Sequence, residues 1–330
     1  MDLFTNIEVK TKDNYIENIS REQMTMAFIH TLKNKSLLDL VSIITSEFNE
    51  VLEYADLLNG GNTCQKTSLL FNPHRLNVKS KNSKFSVYEA ISNDSFCSGL
   101  ARAILYKRSP KGIKYKDMLY QTLSMNINGV QYINEFPPNK ARKLYEKFGM
   151  NKGSKILDPC AGWGGRMIGA SVICNNYECF EPSMETAKGL MQLFNFIKSI
   201  NKDFNAVVNC IPFEESELKQ YSYDFAFTSP PYYDTEQYCN EETNSFIKFR
   251  TFEKWVDGFY LPMIHKTMTA LKTNSTFVIN IGSREYPLNK ILVDAFANKY
   301  TIEKGDEQLQ GKSGLKVLEK EGETFYYITK

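Results

Sequence analysis

Apolar positions near the start of the chain recur at three- and four-residue spacing: Met24, Phe28 and Leu32, then Leu40, Ile43, Ile44, Phe48 and Leu52. That period puts them on one face of successive helices, so residues 1–60 read as mostly helical. Asn59-Gly60-Gly61-Asn62 then stops the pattern with a turn. A loop-rich basic stretch follows, and another helix is expected over about 86–106. From about residue 120 the pattern changes. Short apolar runs alternate with amphipathic ones, which marks a βαβ chain with a mostly parallel sheet. Strands are expected over 155–157, 177–180, 206–209, 225–228 and 276–281. A long helix over about 252–271 carries Trp255, Phe259, Met263 and Ala270 on one face, and Pro262 inside it predicts a kink or a break. The tail, 315–319 and 324–328 about Glu321-Gly322, reads as a hairpin. The chain thus divides into a helical N-terminal region, 1–120, and an α/β domain, 121–330.

Composition narrows the class without naming a partner. Hydrophobic residues make up 42% and charged ones 24%, as in soluble globular proteins, and a net charge of +2 points to no ligand. The first residues are acidic early and lack an apolar core, so they do not read as a secretory signal. No run approaches the roughly 18 apolar residues that span a bilayer, and no membrane partner is expected. The seven cysteines form no Cys-x-x-Cys pair and have three histidines for company, so no metal site is expected. Reduced thiols and a cytoplasmic location follow as expectations.

Two segments carry chemistry. The first is Ile156-Leu157-Asp158-Pro159-Cys160-Ala161-Gly162-Trp163-Gly164-Gly165-Arg166, a strand running into a glycine-rich turn that opens a helix over 167–173. Gly162 and Gly164 let the backbone approach a ligand at a strand end of an open sheet. Alone, such a turn also serves a nicotinamide dinucleotide, a phosphate or merely a tight loop. This one lacks the three-glycine dinucleotide fingerprint and a phosphate-loop lysine. The Asp158 carboxylate suits a cationic group, such as the aminoacyl part of S-adenosylmethionine, and repels pyrophosphate. Glu181 ends the next strand about twenty residues on, where a carboxylate can accept both ribose hydroxyls. After the third strand comes Cys210-Ile211-Pro212-Phe213, where an adenine could rest against Ile211 or Phe213, although Phe213 reads equally well as core.

The second segment is Asp224-Phe225-Ala226-Phe227-Thr228-Ser229-Pro230-Pro231-Tyr232-Tyr233. A buried strand ends in two prolines, which fix φ, remove two N–H groups and make a rigid corner. Methylation of an amino group on an aromatic base needs such a corner. The amino lone pair is delocalised into the ring, and hydrogen bonds from its N–H groups to the Ser229 hydroxyl and the Pro230 carbonyl would draw it towards a tetrahedral shape. Tyr232 can stack on the base, an interaction worth roughly 1–3 kcal/mol.

Together these motifs resemble the amino-methyltransferases of DNA, whose signature is [DNS]-P-P-[YFW]; the serine form is similar to the N4-cytosine branch, and some N6-adenine enzymes carry it. Glu135-Phe136-Pro137-Pro138, followed by a helix over 140–148, resembles the segment that this family places over the methionine end of the cofactor. The resemblance runs from about 130 to 285. It implies a Rossmann-like seven-stranded sheet, S-adenosylmethionine as cofactor held by Phe136, Pro137, Asp158, Pro159, Ala161, Gly162, Gly164, Glu181, Cys210 and Phe213, and transfer at Ser229, Pro230, Pro231 and Tyr232. Where the family usually shows a Gly-Ser-Gly-Thr type of turn, this chain has Gly162-Trp163-Gly164-Gly165-Arg166, and no large recognition insert follows the Ser-Pro-Pro-Tyr corner. A C5-cytosine enzyme would need a Pro-Cys nucleophile after the fourth strand, whereas Pro159-Cys160 lies in the glycine turn. RNA or protein-glutamine methylation remains an alternative, as does an inert module that binds cofactor and DNA.

Between Lys66 and Lys116 eleven lysines and arginines face two acidic residues, a local excess of nine positive charges. Clustered basic residues are the footprint of phosphate binding. Lys79, Lys81, Lys84, Arg102, Lys107 and Arg108 are therefore candidate DNA contacts. A base inside a duplex cannot reach such a pocket, so flipping or a single-stranded substrate is expected. The polar stretch 234–250 after the corner reads as a lid.

Overall fold

The apolar runs at 155–157, 177–180, 206–209, 225–228 and 276–281 all become strands. The computed structural model describes residues 14–45, 49–61, 66–106, 129–130, 133, 135–237, 239–282, 285–305 and 323–330. Among them, β1 (Lys155–Asp158), β2 (Asn176–Phe180), β3 (Asn205–Asn209), β4 (Tyr223–Thr228), β5 (Leu271–Gly282), β6 (Thr301–Lys304) and β7 (Glu323–Thr329) form a seven-stranded sheet in the order β3-β2-β1-β4-β5-β7-β6. The first five strands pair in parallel, and β7 runs antiparallel to both β5 and β6. This is the Rossmann-like α/β sheet expected of the sequence.

The strands read as unbroken apolar runs because both faces of the sheet are covered. Side chains alternate along a strand, so Ile156, Phe225, Phe227 and Val278 enter one core while Leu157, Ala226, Phe277 and Ile279 enter the other. The first core is closed by helices Pro138–Lys147, Gly165–Ser171 and Met184–Ile200 through Leu144, Met167, Leu190 and Leu193. The second is closed by Trp255, Phe259, Met263, Leu288 and Leu292.

The long helix is interrupted as Pro262 predicts, and two strands differ from expectation. The helix over 252–271 is a series: Phe252–Trp255, a wide π turn over Val256–Tyr260, then Leu261–Ala270. Pro262 lacks an N–H and its ring crowds the carbonyl four residues back, and the widened turn before it relieves both. Strand β6 went unforeseen because its pattern is mostly exposed, with Ile302 its one apolar side chain. Strand β7 was expected in a hairpin with 315–319; it pairs with β5 and β6, and 315–319 lies outside the described residues.

The chain divides into two compact units, one of 1–48 with 73–134 and one of 49–72 with 135–330, where the hydrophobic pattern suggested a single cut near 120. Helix Glu50–Leu58 belongs with the sheet because Tyr54 and Leu57 enter its core and the Tyr54 hydroxyl meets Ser171 Oγ at 2.8 Å. Within the other unit, helices Asn14–Leu32 and Asp94–Tyr106 pack on one another, and the short helix Val87–Ala90 is closed by Ser86 and Glu89 with a reciprocal capping box. No helix among the described residues is long and apolar enough to cross a membrane.

Candidate active site

Strand order reverses between β1 and β4, and in an open parallel sheet the carboxyl ends at such a reversal form a crevice for ligands. Both motifs open there: the glycine turn follows β1 and the Ser-Pro-Pro-Tyr corner follows β4. Glu181 and Cys210 follow the neighbouring ends of β2 and β3. Sequence reasoning therefore named residues that the sheet brings to one edge.

The glycine turn is built for close approach. Gly164 has φ of 91°, a left-handed conformation that favours glycine, and a Cβ there would lie 2.6 Å from Leu193 Cδ2 on helix Met184–Ile200. Gly162, at φ of 55°, has nothing within 4 Å of where its Cβ would be, and it faces open space. Pro159, Ala161 and Trp163 are buried beneath the turn. The Phe136 ring lies edge-on to Phe227 at 4.9 Å, and Pro137 caps the helix behind it, so this segment borders the turn as expected.

Asp158 does not face a ligand. Its carboxylate is fully buried and accepts from Arg166 Nε at 2.8 Å, Arg166 Nη2 at 3.3 Å, the Tyr177 hydroxyl at 2.5 Å, the Thr228 hydroxyl at 3.0 Å and the Cys160 amide at 3.3 Å. Arg166 also donates to the Cys160 carbonyl. Burial opposes the charge on Arg166, but the Asp158 carboxylate outweighs it and raises the guanidinium above its usual range. The two charges neutralise one another inside the protein, as a buried pair must. The sequence showed Arg166 as a departure from the family turn but not that it takes the charge of Asp158. Arg166 stands in the first turn of the next helix, eight residues on, and nothing local marks the pair.

Glu181 stands at the glycine turn. Its Oε2 accepts the Gly162 amide at 3.2 Å and its Oε1 accepts the Ser183 amide at 3.0 Å, which fixes the carboxylate beside the open glycine. Burial is the largest influence on this group and pushes its pKa up to about 7. Phe213 is core: it is 2% exposed and packs edge-on to Phe180 at 4.9 Å. Ile211 is 41% exposed beside exposed Cys210, so of the two candidate adenine contacts the isoleucine is the accessible one.

At the corner, Ser229 Oγ lies 3.3 Å from the Tyr232 hydroxyl, 3.5 Å from the Asn280 carbonyl oxygen and 3.4 Å from Asn280 Nδ2. Asn280 is buried on β5 next to β4, and sequence reasoning did not single it out. Tyr232 packs its ring on Gly282, where a Cβ would come within 2.9 Å. Pro230 is buried and Pro231 half-buried. Tyr233 has φ of 59°, a left-handed turn rare for an aromatic residue, and its hydroxyl donates to the Arg250 carbonyl at 2.9 Å. This turn sets its ring among Phe252, Trp255 and Tyr286, so that an aromatic wall flanks the corner.

The basic candidates lie in the other unit. Lys79 pairs with Glu89 at 3.2 Å, Lys84 sits over the Phe85 ring, Arg102 donates to the Ser98 carbonyl at 3.4 Å, and Lys81 is exposed. Lys107 and Arg108 lie outside the described residues.

No protein-family model and no curated protein matches the chain. Solved structures similar to it include a tRNA (m1A58) methyltransferase, TrmI, from Aquifex aeolicus, 13% identical over 59% of this chain and 69% of that one, with a TM-score of 0.37. A TehB-like SAM-dependent methyltransferase from Corynebacterium glutamicum is 14% identical over 58% and 87%, at 0.39. A phosphoethanolamine N-methyltransferase 2 from Haemonchus contortus, in complex with S-adenosyl-L-methionine, is 15% identical over 58% and 52%, at 0.37. The likeness is remote. The fold described above rests on this chain's own topology, and its chemistry on its own residues.

Proposed function

We propose that this protein is an S-adenosylmethionine-dependent methyltransferase that methylates an exocyclic amino group of a DNA base, with N4 of cytosine favoured over N6 of adenine. One observation carries the reading: an open glycine turn with a carboxylate beside it and a rigid Ser-Pro-Pro-Tyr corner stand on adjacent strand ends, tied through Thr228 and Asp158.

The residues present fit the cofactor. Glu181 offers carboxylate oxygens for ribose hydroxyls next to the cradle at Gly162, and Ile211 offers an exposed apolar surface for adenine. Phe136 and Pro137 border the same turn. Asp158 holds the turn in shape rather than meeting a charge on the ligand. Bound there, S-adenosylmethionine supplies an electrophilic methyl group on sulfur. The chain's own part is positioning, which can contribute several kcal/mol, on the order of 7 or more in favourable cases. Ser229 Oγ and the Pro230 carbonyl accept hydrogen bonds from the two amino N–H groups, and Tyr232 and the aromatic wall hold the base plane. The buried Asn280 fixes Ser229 from behind. The serine form of the motif supports a DNA acceptor, and the basic segment supports a polyanionic one.

The test is to incubate the purified protein with S-adenosylmethionine and unmethylated DNA, digest to nucleosides and identify the product by mass spectrometry, with Ser229→Ala as control. N4-methylcytosine is the expected product. N6-methyladenine would keep the mechanism and correct the base. Cofactor binding with no methylated deoxynucleoside would overturn the DNA assignment and direct the search to RNA and protein acceptors.

A further inference from the structure

The segment after the Ser-Pro-Pro-Tyr corner returns to the cofactor side of the sheet edge. Asn244 ties it into a compact turn, its amide donating to the Glu241 carbonyl at 2.9 Å and its Nδ2 to the Cys239 carbonyl at 3.3 Å. From this turn the Thr243 hydroxyl donates to the Pro182 carbonyl at 3.3 Å. The Glu241 carboxylate accepts the Ser183 hydroxyl on Oε1 and the Met184 amide on Oε2, both at 3.2 Å.

Those two donors begin helix Met184–Ile200. Ser183 is its N-cap residue and makes no side-chain cap bond of its own. A 17-residue helix leaves its first amides without an internal partner and carries a partial positive charge at that end. Glu241 supplies the missing acceptor from 57 residues further along the chain. Ser183 is consequently held twice: its amide by Glu181 at 3.0 Å and its hydroxyl by Glu241. The carboxylate that borders the glycine cradle and the segment that leaves the transfer corner meet on one residue.

We propose that Glu241 is a positioning residue that aims Glu181 through Ser183 and so couples cofactor binding to the segment bordering the acceptor. The inference rests on the reading of Glu181 as the ribose carboxylate. Without Glu241 the first turn of the helix loses its cap and the Ser183 hydroxyl is no longer held, so the Ser183 amide, one of the two donors that orient Glu181, loses its fixed position. Charge adds a second signature. Glu181 is raised chiefly by burial and further by the nearby Asp158 and Glu241 carboxylates, and the Cys210 and Cys239 thiols lie close enough to feel both glutamates. Asp158 is neutralised by Arg166, which leaves Glu241 as the neighbour whose charge can be removed without touching the turn.

The test measures binding of S-adenosylhomocysteine by calorimetry from about pH 5.5 to 8.5 for the full chain and for Glu241→Ala, Glu241→Gln and Ser183→Ala. At the alkaline end Glu241→Ala should bind at least about tenfold more weakly, as expected when hydrogen bonds to a charged group are lost. Glu241→Gln keeps an acceptor oxygen and should stay within about threefold, while the midpoint of its pH profile moves to lower pH. A purely structural cap would lower stability without moving that midpoint. Wild-type affinity and an unmoved midpoint in a folded Glu241→Ala protein would overturn the inference. Should Glu241→Ala fail to fold, Ser183→Ala removes only the hydroxyl, and wild-type affinity in that variant would overturn the inference equally. If the unaltered protein binds no S-adenosylhomocysteine, the ribose reading of Glu181 falls, and the inference with it.

Discussion

The Thr228 hydroxyl donates to Asp158 Oδ1 at 3.0 Å and accepts the Cys160 amide at 3.1 Å, so one side chain at the end of β4 is bonded twice to the start of the turn that follows β1. The residue before Ser229 therefore sets the spacing between the cofactor turn and the transfer corner. Thr228→Val keeps the shape and removes both bonds. It should cost about 1–3 kcal/mol of stability, the usual penalty for buried polar groups left unpaired. Cofactor affinity and kcat should fall with it, because the two halves of the site lose their tie. Denaturant melts with steady-state kinetics check this; a stability loss with unchanged KM and kcat would make the tie structural alone.

Arg166→Met should be more damaging to the fold. It leaves Asp158 charged and buried among Tyr177, Thr228 and the Cys160 amide, and stranding one partner of a buried pair costs roughly 3–5 kcal/mol. Replacing both members, Asp158→Leu with Arg166→Met, should recover part of that loss, since no charge is then left unpaired. Urea unfolding of the wild type and the two variants measures the recovery.

Stability and cofactor affinity should respond to pH in opposite directions through Glu181. Its carboxyl titrates at about 7 in the fold against 4.5 unperturbed, so the folded protein takes up a proton that the unfolded chain does not. The protein without ligand should gain stability as pH falls from above 7 towards 4.5, and lose that gain as pH rises through 7. Ribose hydroxyls are best accepted by the ionised form, so affinity for S-adenosylhomocysteine should weaken as pH falls below about 7. Glu181→Gln should flatten both profiles, which thermal melts and calorimetry across the range will show.

Lys81 and Lys84 are exposed residues of the basic segment. Reversing both to glutamate should lower the salt dependence of DNA binding by about two phosphate contacts, a change of roughly 2 in the slope of log K against log salt. An unchanged affinity and slope in Lys81→Glu/Lys84→Glu would remove this segment from the DNA-binding surface.

Much of this was legible in the chain. Strands buried on both faces are continuous apolar runs, so β1 to β5 stood out, and glycines and prolines after β1 and β4 marked the ligand edge. What escaped was set by contacts distant in sequence. Asp158 read as a group for a ligand because nothing local reveals that Arg166, Tyr177 and Thr228 converge on it. Phe213 looked available for stacking until the packing of Phe180 closed over it. Glu241 read as one acid in a polar loop; its helix lies 57 residues earlier. Residues whose role depends on a partner across the fold carry no periodic signal.

The insertion of β7 between β5 and β6 has a consequence for biosynthesis. Phe325 and Tyr327, on the last strand, pack against Phe136 and Phe148, which flank the helix leading into the glycine turn. On the ribosome the glycine turn and the Ser-Pro-Pro-Tyr corner emerge well before the strand that supports them from behind. The nascent chain must hold an apolar sheet with an open edge until residue 329 is released from the exit tunnel, an exposure that favours aggregation. Chaperone dependence should therefore be greatest while the chain between β5 and β7 is being synthesised.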